Sequence, residues 1–176
     1  MDAAGIRYAL IGGFAMALRG VQRATVDLDF IIMLEDLEKA DAIFVEAGYE
    51  RAFHNENVSH YLSDQSEMGR INILHAFRGP TLKMLEQADR LQIDSDHTLP
   101  VIKIEDIIGL KIQATVNDPQ RKTRDYADIR MMLETSAEME QILDWELIED
   151  YLELFNLRDF LGEMKSWYGP IDGNRP

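Results

Sequence analysis

The sequence predicts an α+β (α/β) fold: a small mixed β-sheet flanked by helices, followed by an α-helical C-terminal part. Over residues 1–102, short apolar and β-branched segments alternate with helical segments. Beyond residue 103, apolar residues recur only with the helical period. We therefore expect a core over 1–102, a helical part over 103–168 packed on that core, and a loose tail over 169–176.

The first half of the predicted core begins with a strand over 6–11, a short apolar run that leads into two glycines. A helix over 14–19 follows and ends at Gly20. Residues 26–33 are apolar and β-branched, which predicts a second strand. A helix over 35–47 has apolar residues at helical spacing and stops at Gly48.

The second half of the core contains two predicted strands, 58–62 and 70–77, joined by a polar turn. A helix over 81–88 starts after Gly79-Pro80. Residues 91–102 form a predicted hairpin. The periodicity then predicts four helices, over 104–116, 121–134, 142–155 and 158–167.

The composition excludes several classes of protein. Of the 176 residues, 46% are hydrophobic, which is too many for a disordered chain, and no apolar run is long enough to cross a bilayer. The chain has no Cys, which excludes disulfides, thiolate metal sites and a cysteine nucleophile. The N-terminus lacks the basic segment of a signal peptide, so we expect a cytoplasmic protein with no membrane partner.

The net charge of −14 argues against a broad DNA-binding surface. Residues 134–163 carry ten acids and one base, a balance of −9, which leaves −5 for the rest. The acids are Glu134, Glu138, Glu140, Asp144, Glu146, Glu149, Asp150, Glu153, Asp159 and Glu163. One hypothesis makes these helices an interaction surface for a basic partner or a second copy of the chain.

Chemistry is concentrated between the first two strands. Gly12-Gly13 lets the backbone approach a ligand closely at the start of a helix, which favours a phosphate, although such a pair also occurs in plain turns. Asp27 and Asp29 are two apart in a predicted strand, so both carboxylates project from one face. Such a pair suits Mg²⁺ or Mn²⁺. Asp94 and Asp96 share the spacing, but their context predicts turn capping.

Gly12-Gly13, a short helix, Arg23-x-Thr25 and Asp27-Leu-Asp29 together resemble the signature of the DNA polymerase β-like nucleotidyltransferase superfamily. Within it, the chain is most similar to the minimal prokaryotic branch that includes AbiEii-type toxins, over about residues 5–133. The resemblance implies a nucleotidyltransferase-like sheet. In such a site the glycine turn holds a nucleoside triphosphate such as ATP, and the two aspartates hold divalent metal.

In this family a later helical Lys and a basic-x-Asp segment complete the site, and here they match Lys111 and Asp125. The resemblance therefore implies three catalytic residues, Asp27, Asp29 and Lys111. It implies nucleotide contacts from Gly12, Gly13, Arg23, Thr25, Lys111 and Asp125.

The residues themselves leave other roles open for this later segment. Lys111 lies at the border of an apolar helix and could be a snorkelling surface lysine. Asp125 and Asp128 share one helical face and could orient Lys111 or arginine side chains instead of binding metal. Arg121, Lys122 and Arg124 form the densest basic run, either solvated or directed at triphosphate or RNA.

The chain departs from the family pattern at Asn72. Most active relatives carry a third acidic residue on this strand, where it helps to bind metal and accepts or orients the attacking hydroxyl. An amide offers one neutral oxygen to a metal but cannot take a proton, so Asn72 is a weaker third ligand. His75, an alternative base, falls on the opposite face by strand parity. Relatives also have a helix before the first strand, so either the start lies upstream of Met1 or this copy is shortened.

The resemblance implies a metal-dependent enzyme that transfers a nucleotidyl group from a nucleoside triphosphate. The acceptor is a protein, an RNA such as a tRNA end, or a small molecule, and a toxin role implies an antitoxin partner. The alternative is a catalytically degenerate member of the same fold that binds a nucleotide or a protein, which Asn72 motivates.

Overall fold

The computed structural model describes residues 1–65 and 67–169. They divide into two compact units, the first covering Met1–Lys103 and the second beginning at Ile104. The first unit is a mixed sheet with helices and the second is helical, so the predicted fold class is confirmed.

The first unit is built on one sheet, which has seven strands among the described residues. The strands are β1 (Tyr8–Ile11), β2 (Leu28–Met33), β3 (Glu50–His54), β4 (Val58–Leu62), β5 (Ile71–Ala76), β6 (Asp89–Gln92) and β7 (Thr98–Val101). Their order is β3-β4-β5-β2-β1-β7-β6. The pairs β2/β5 and β1/β7 are parallel, and the other neighbours are antiparallel.

Three helices accompany this sheet: α1 (Gly12–Leu18), α2 (Leu37–Glu46) and α3 (Gly79–Glu86). The aromatic ring of Phe44 on α2 packs against Phe30 of β2 and Tyr61 of β4. All three side chains are buried, and burial of apolar surface of this size is the main source of stability for the unit. This packing holds α2 against the face of the sheet that carries Phe30 and Tyr61.

The observed elements follow the sequence pattern closely, apart from shifted ends and the strands β2 and β3. Strand β3 was not predicted, because all five of its residues are exposed at the sheet edge and show no apolar alternation. Strand β2 begins at Leu28, so Asp27 lies just before the strand. The predicted turn at Asp94 is confirmed, since its Oδ1 accepts hydrogen bonds from the backbone amides of Asp96 and His97.

The second unit contains α4 (Ile104–Asn117), α5 (Lys122–Glu138), α6 (Trp145–Leu154) and α7 (Leu161–Tyr168), close to the four predicted helices. Gly109 on α4 lets the ring of Tyr151 on α6 approach its backbone closely, and the Tyr151 hydroxyl donates to Asp106 Oδ1 at 2.6 Å. Most of the predicted tail, residues 170–176, lies outside the described residues. No helix in the described part of the chain is long and apolar enough to cross a membrane.

The contact at Gly109 predicts a large effect of a small substitution. A Cβ added there would lie 2.6 Å from the Tyr151 ring, so Gly109→Ala should lower the free energy of unfolding by about 1–3 kcal/mol. Gly162→Ala is the matched control, because a Cβ at Gly162 on α7 has nothing within 4 Å. Its helix propensity should leave stability unchanged or raise it by up to about 1 kcal/mol. Urea denaturation of both variants tests this; equal stabilities would contradict the packing described.

Candidate active site

The glycine turn lies where β1 passes into α1. Gly12 has a φ of +66°, which favours glycine, and a Cβ added there would lie 2.1 Å from Asp29 Oδ2. At Gly13, a Cβ would lie 2.9 Å from the side chain of Thr25. Both glycines are therefore needed for the turn to pack against the segment that leads into β2.

The two aspartates of the Asp-x-Asp motif are both half-exposed at the start of β2. Asp27 Oδ1 accepts a hydrogen bond from the backbone amide of Arg70 at 3.1 Å. Asp29 Oδ1 accepts one from Asn72 Nδ2 at 2.8 Å. Gly69 makes this approach possible, because a Cβ there would lie 1.8 Å from the Val26 carbonyl oxygen.

Asn72 lies opposite Asp29 in the parallel β2/β5 pair and opposite His60 in the antiparallel β4/β5 pair. Its amide nitrogen donates to Asp29, and its oxygen Oδ1 lies 2.9 Å from His60 Nδ1. The structure thus brings three predicted residues together, Gly12, Asp29 and Asn72, and adds His60, which the sequence analysis had not assigned to the site.

Arg23 and Thr25 occupy the loop between α1 and β2. The Thr25 hydroxyl donates to the Asp27 carbonyl oxygen at 3.4 Å, and the Arg23 guanidinium donates to Met16 Sδ at 3.8 Å. Thr25 is therefore adjacent to both the glycine turn and the Asp-x-Asp motif. The methyl and hydroxyl groups of Thr25 pack against the glycine turn at Gly13.

His75 does not belong to this cluster. It lies on the opposite face of β5 from Asn72, as strand parity predicts, and its ring nitrogens contact Ser59 Oγ at 2.9 Å and the Glu56 carbonyl oxygen at 3.0 Å. Burial lowers the pKa of His75, although its hydrogen bond to the Glu56 backbone opposes this effect. Its ring is thus a buried packing group of the sheet.

Lys111 lies in the second unit, buried on α4. Its Nζ donates to Asp125 Oδ1 at 3.0 Å and also to Asp128, both on α5. Arg121 Nε donates to the second oxygen of Asp125 at 3.0 Å. The interpretation of Lys111 as a snorkelling surface lysine is therefore wrong. The interpretation that Asp125 and Asp128 orient basic side chains is confirmed.

The electrostatics of this cluster keep the Asp125 carboxylate charged. Burial raises the pKa of Asp125, but the hydrogen bond from Lys111 and the positive charges of Lys111 and Arg121 outweigh it, so the pKa lies below its usual value. Because the Asp125 carboxylate is fully buried and both of its oxygens are paired, its role in the structure is to hold the side chains of Lys111 and Arg121.

The capacity for metal rests on the donor chemistry of Asp27 and Asp29. Among residues 1–65 and 67–169, no group of three or more His, Cys, Asp or Glu is placed to hold a metal ion. Two carboxylates nevertheless fit Mg²⁺, which usually keeps several waters and binds one or two carboxylates together with substrate phosphates. The residues present suit a metal that arrives with a nucleotide.

Solved structures with similar folds include a protein in complex with an adenylylated antibiotic and a lincosamide adenylyltransferase. The chain superposes on the solution structure of the antibiotic-resistance factor ANT(2'')-Ia with a TM-score of 0.66 and 14% identity, covering 94% of this chain and 90% of that one. A crystal structure of ANT(2")-Ia in complex with adenylyl-2"-tobramycin matches with a TM-score of 0.62 and 14% identity, covering 90% of this chain and 91% of that one. The crystal structure of the lincomycin-bound lincosamide antibiotic adenylyltransferase LnuA matches with a TM-score of 0.50 and 14% identity, covering 74% of this chain and 88% of that one.

The fold is therefore that of the nucleotidyltransferases, and the glycine turn and Asp-x-Asp pair lie together within it. A family model described as "Nucleotidyl transferase AbiEii toxin, Type IV TA system" matches residues 2–166. The chain belongs to this AbiEii nucleotidyltransferase family, as the sequence motifs predicted. Comparison with curated protein sequences gives no match.

The ion-pair cluster predicts a pH-dependent effect of Lys111→Met. This substitution leaves two buried carboxylates without their main partner and should lower the free energy of unfolding by about 3–5 kcal/mol at pH 7. The pKa of Asp125 is depressed in the native protein, so its contribution is present above the unfolded pKa of about 3.9 and is lost as pH falls through the native pKa. The difference between variant and wild type should therefore shrink below about pH 4.

Denaturant titrations at pH 7 and at pH 3.5 measure this difference. Lys83→Met, at an exposed position on α3, is the control and should stay within about 0.5 kcal/mol at both pH values. A deficit in Lys111→Met that is equal at the two pH values would contradict the electrostatic account.

Proposed function

We propose that the protein is a metal-dependent nucleotidyltransferase whose site is formed by the Gly12-Gly13 turn and the carboxylates of Asp27 and Asp29. The observation that carries the proposal is the position of Asp29, whose carboxylate lies against the Gly12 backbone on one side and the Asn72 amide on the other. A nucleoside triphosphate is the ligand class for which a glycine turn and a carboxylate pair are combined.

In this proposal the backbone of Gly12 and Gly13 lies along the triphosphate, where the absence of side chains allows close approach. Asp27 and Asp29 would hold Mg²⁺ or Mn²⁺, which neutralises charge on the phosphates when bound. The acceptor nucleophile forms a bond to the α-phosphorus as the bond to pyrophosphate breaks. The protein's contribution is mainly positioning and electrostatic stabilisation, as in other phosphoryl transfers.

The remaining predicted residues have supporting roles in the proposal. The family resemblance proposes Lys111 as a catalytic residue, and its salt bridges to Asp125 and Asp128 hold the lysine side chain in a defined direction within the second unit. Asp125 acts by orienting Lys111 and Arg121, since both of its oxygens are paired with them. Arg23 and Thr25 are proposed nucleotide contacts, supported by their place in the loop that packs on the glycine turn.

The acceptor is proposed from the family. A description as a toxin of a type IV toxin–antitoxin system favours a macromolecular acceptor, a protein or an RNA such as tRNA, and an antitoxin partner. A small-molecule acceptor remains the second choice, because the ANT(2")-Ia structure contains an adenylylated antibiotic. The cytoplasmic location stays a prediction from the N-terminal sequence.

A second candidate function is nucleotide binding without catalysis. It is favoured by one observation: at the place of the expected third carboxylate the chain has Asn72, an amide that cannot accept a proton. Phosphoryl transfer depends largely on positioning, so this loss weakens the reaction without excluding it.

The metal site predicts how nucleotide binding responds to loss of the carboxylates. Calorimetric titration with a nonhydrolysable ATP analogue should show binding that requires Mg²⁺ and that Asp27→Ala plus Asp29→Ala weakens at least 10-fold. Asp94→Ala plus Asp96→Ala is the matched control, because it removes the same motif from an exposed turn. Unchanged affinity in the first double variant would remove the metal-site proposal.

The substitution Asn72→Asp distinguishes a weakly active nucleotidyltransferase from a protein that binds nucleotide without catalysis. The variant adds a carboxylate beside Asp29, so we expect transfer of label from α-³²P-labelled ATP to an acceptor to rise by about 10-fold or more. Wild-type protein with measurable transfer establishes an active enzyme. Wild-type protein with none, together with activity in Asn72→Asp, supports the degenerate alternative.

A further inference from the structure

A row of polar side chains crosses three neighbouring strands of the sheet. His60 on β4 pairs in register with Asn72 on β5, and Asn72 pairs with Asp29 on β2. Residues directly opposite each other on adjacent strands project to the same face, so the three side chains form one line that ends at the Gly12 turn. Hydrogen bonds of 2.9 Å and 2.8 Å connect this line.

The chemistry of the groups fixes the direction of both hydrogen bonds. An ionised carboxylate only accepts, so the Asn72 nitrogen must face Asp29 and its oxygen must face His60. An amide oxygen also only accepts, so the hydrogen must lie on His60 Nδ1. The row therefore runs as two donations toward Asp29, and it requires the neutral His60 ring to be the Nδ1–H tautomer.

The His60 ring is itself held in place. It stacks on Phe53 of the neighbouring strand β3, with ring centroids 5.4 Å apart and an interplanar angle of 26°. It is only half-exposed, and its Nδ1 is directed at Asn72. A ring held on one side by stacking and on the other by a hydrogen bond can determine which way the Asn72 amide points.

We propose that His60 is a positioning residue for the nucleotidyl-transfer site. It holds the Asn72 amide so that the amide nitrogen, and not its oxygen, faces Asp29, and this fixes one oxygen of the Asp29 carboxylate. Asn72 then acts as a hydrogen-bond donor in place of the metal ligand predicted from the sequence. The inference rests on the proposed function for its purpose, but its geometry can be tested separately.

The first test reads the tautomer of His60 by long-range ¹H–¹⁵N NMR of the full chain labelled with ¹⁵N-histidine, at a pH where the rings are neutral. His60, assigned by its disappearance in His60→Phe, should be the Nδ1–H tautomer, whereas free histidine prefers Nε2–H. Asn72→Leu should return His60 toward the Nε2–H form. A wild-type His60 in the Nε2–H form overturns the proposal, whatever the protein does with nucleotides.

The second test reads Mn²⁺ binding in the presence of a nonhydrolysable ATP analogue, by electron paramagnetic resonance. His60→Phe keeps an aromatic ring for stacking on Phe53 but removes the donor, and should weaken Mn²⁺ binding about 10-fold, as loss of a partner of a metal ligand typically does. His97→Phe, at an exposed hairpin position, is the control and should bind like wild type.

The outcomes separate the two proposals. Weaker binding in His60→Phe with an unchanged unfolding midpoint supports the positioning role. Binding within twofold of wild type in His60→Phe, while Asp27→Ala plus Asp29→Ala abolishes it, overturns that role and leaves the proposed function intact. Wild-type protein that binds no Mn²⁺–nucleotide overturns the proposed function and with it the purpose assigned to His60.

Discussion

The carboxylate of Asp29 can lie beside the β1–α1 turn only because Gly12 has no side chain there. A Cβ at Gly12 would overlap Asp29 Oδ2, and a Cβ at Gly69 would overlap the Val26 carbonyl oxygen. These two close approaches bring the backbone on either side of β2 against the segment that carries Asp27 and Asp29. The register of β2 with β1 and β5 then places Asn72 opposite Asp29. The placement of Asp29 beside the glycine turn and Asn72 follows from these close approaches.

The second unit has a different polar centre, the buried Lys111 with Asp125 and Asp128. Burying charged groups costs a large desolvation free energy, and well-packed apolar side chains often stabilise a core equally well. Stability alone is therefore a weak reason for this cluster. Holding the Lys111 side chain in a defined direction is what two carboxylates achieve and apolar packing cannot.

Much of this structure was predictable because its signals are local. Buried strands such as β2 and β5 are marked by apolar and β-branched residues, and the glycine pair and Asp-x-Asp spacing are readable directly. The edge strand β3 was missed because it forms through backbone pairing with β4 and buries no side chain. His60 was missed because its role depends on the register of β4 with β5, which pairs it with Asn72, a residue 12 positions later in the chain. Aligning the two predicted strands through Asn72 would have identified it.

Sequence periodicity could not predict the burial of Lys111 either. A lysine among apolar residues on one helix is compatible with a surface border or with an ion pair, and only the packing of α5 on α4 selects between them. The uneven charge of the chain was readable from the sequence, and a surface for a basic partner on the acidic helices stays a prediction.

The most direct measurement of the central claim is a crystal structure of the protein with Mn²⁺ and a nonhydrolysable ATP analogue, with anomalous diffraction to locate the metal. We expect an anomalous peak at the carboxylates of Asp27 and Asp29, with the triphosphate along the backbone of Gly12 and Gly13. A nucleotide bound elsewhere, or a metal that contacts neither aspartate, would contradict this claim.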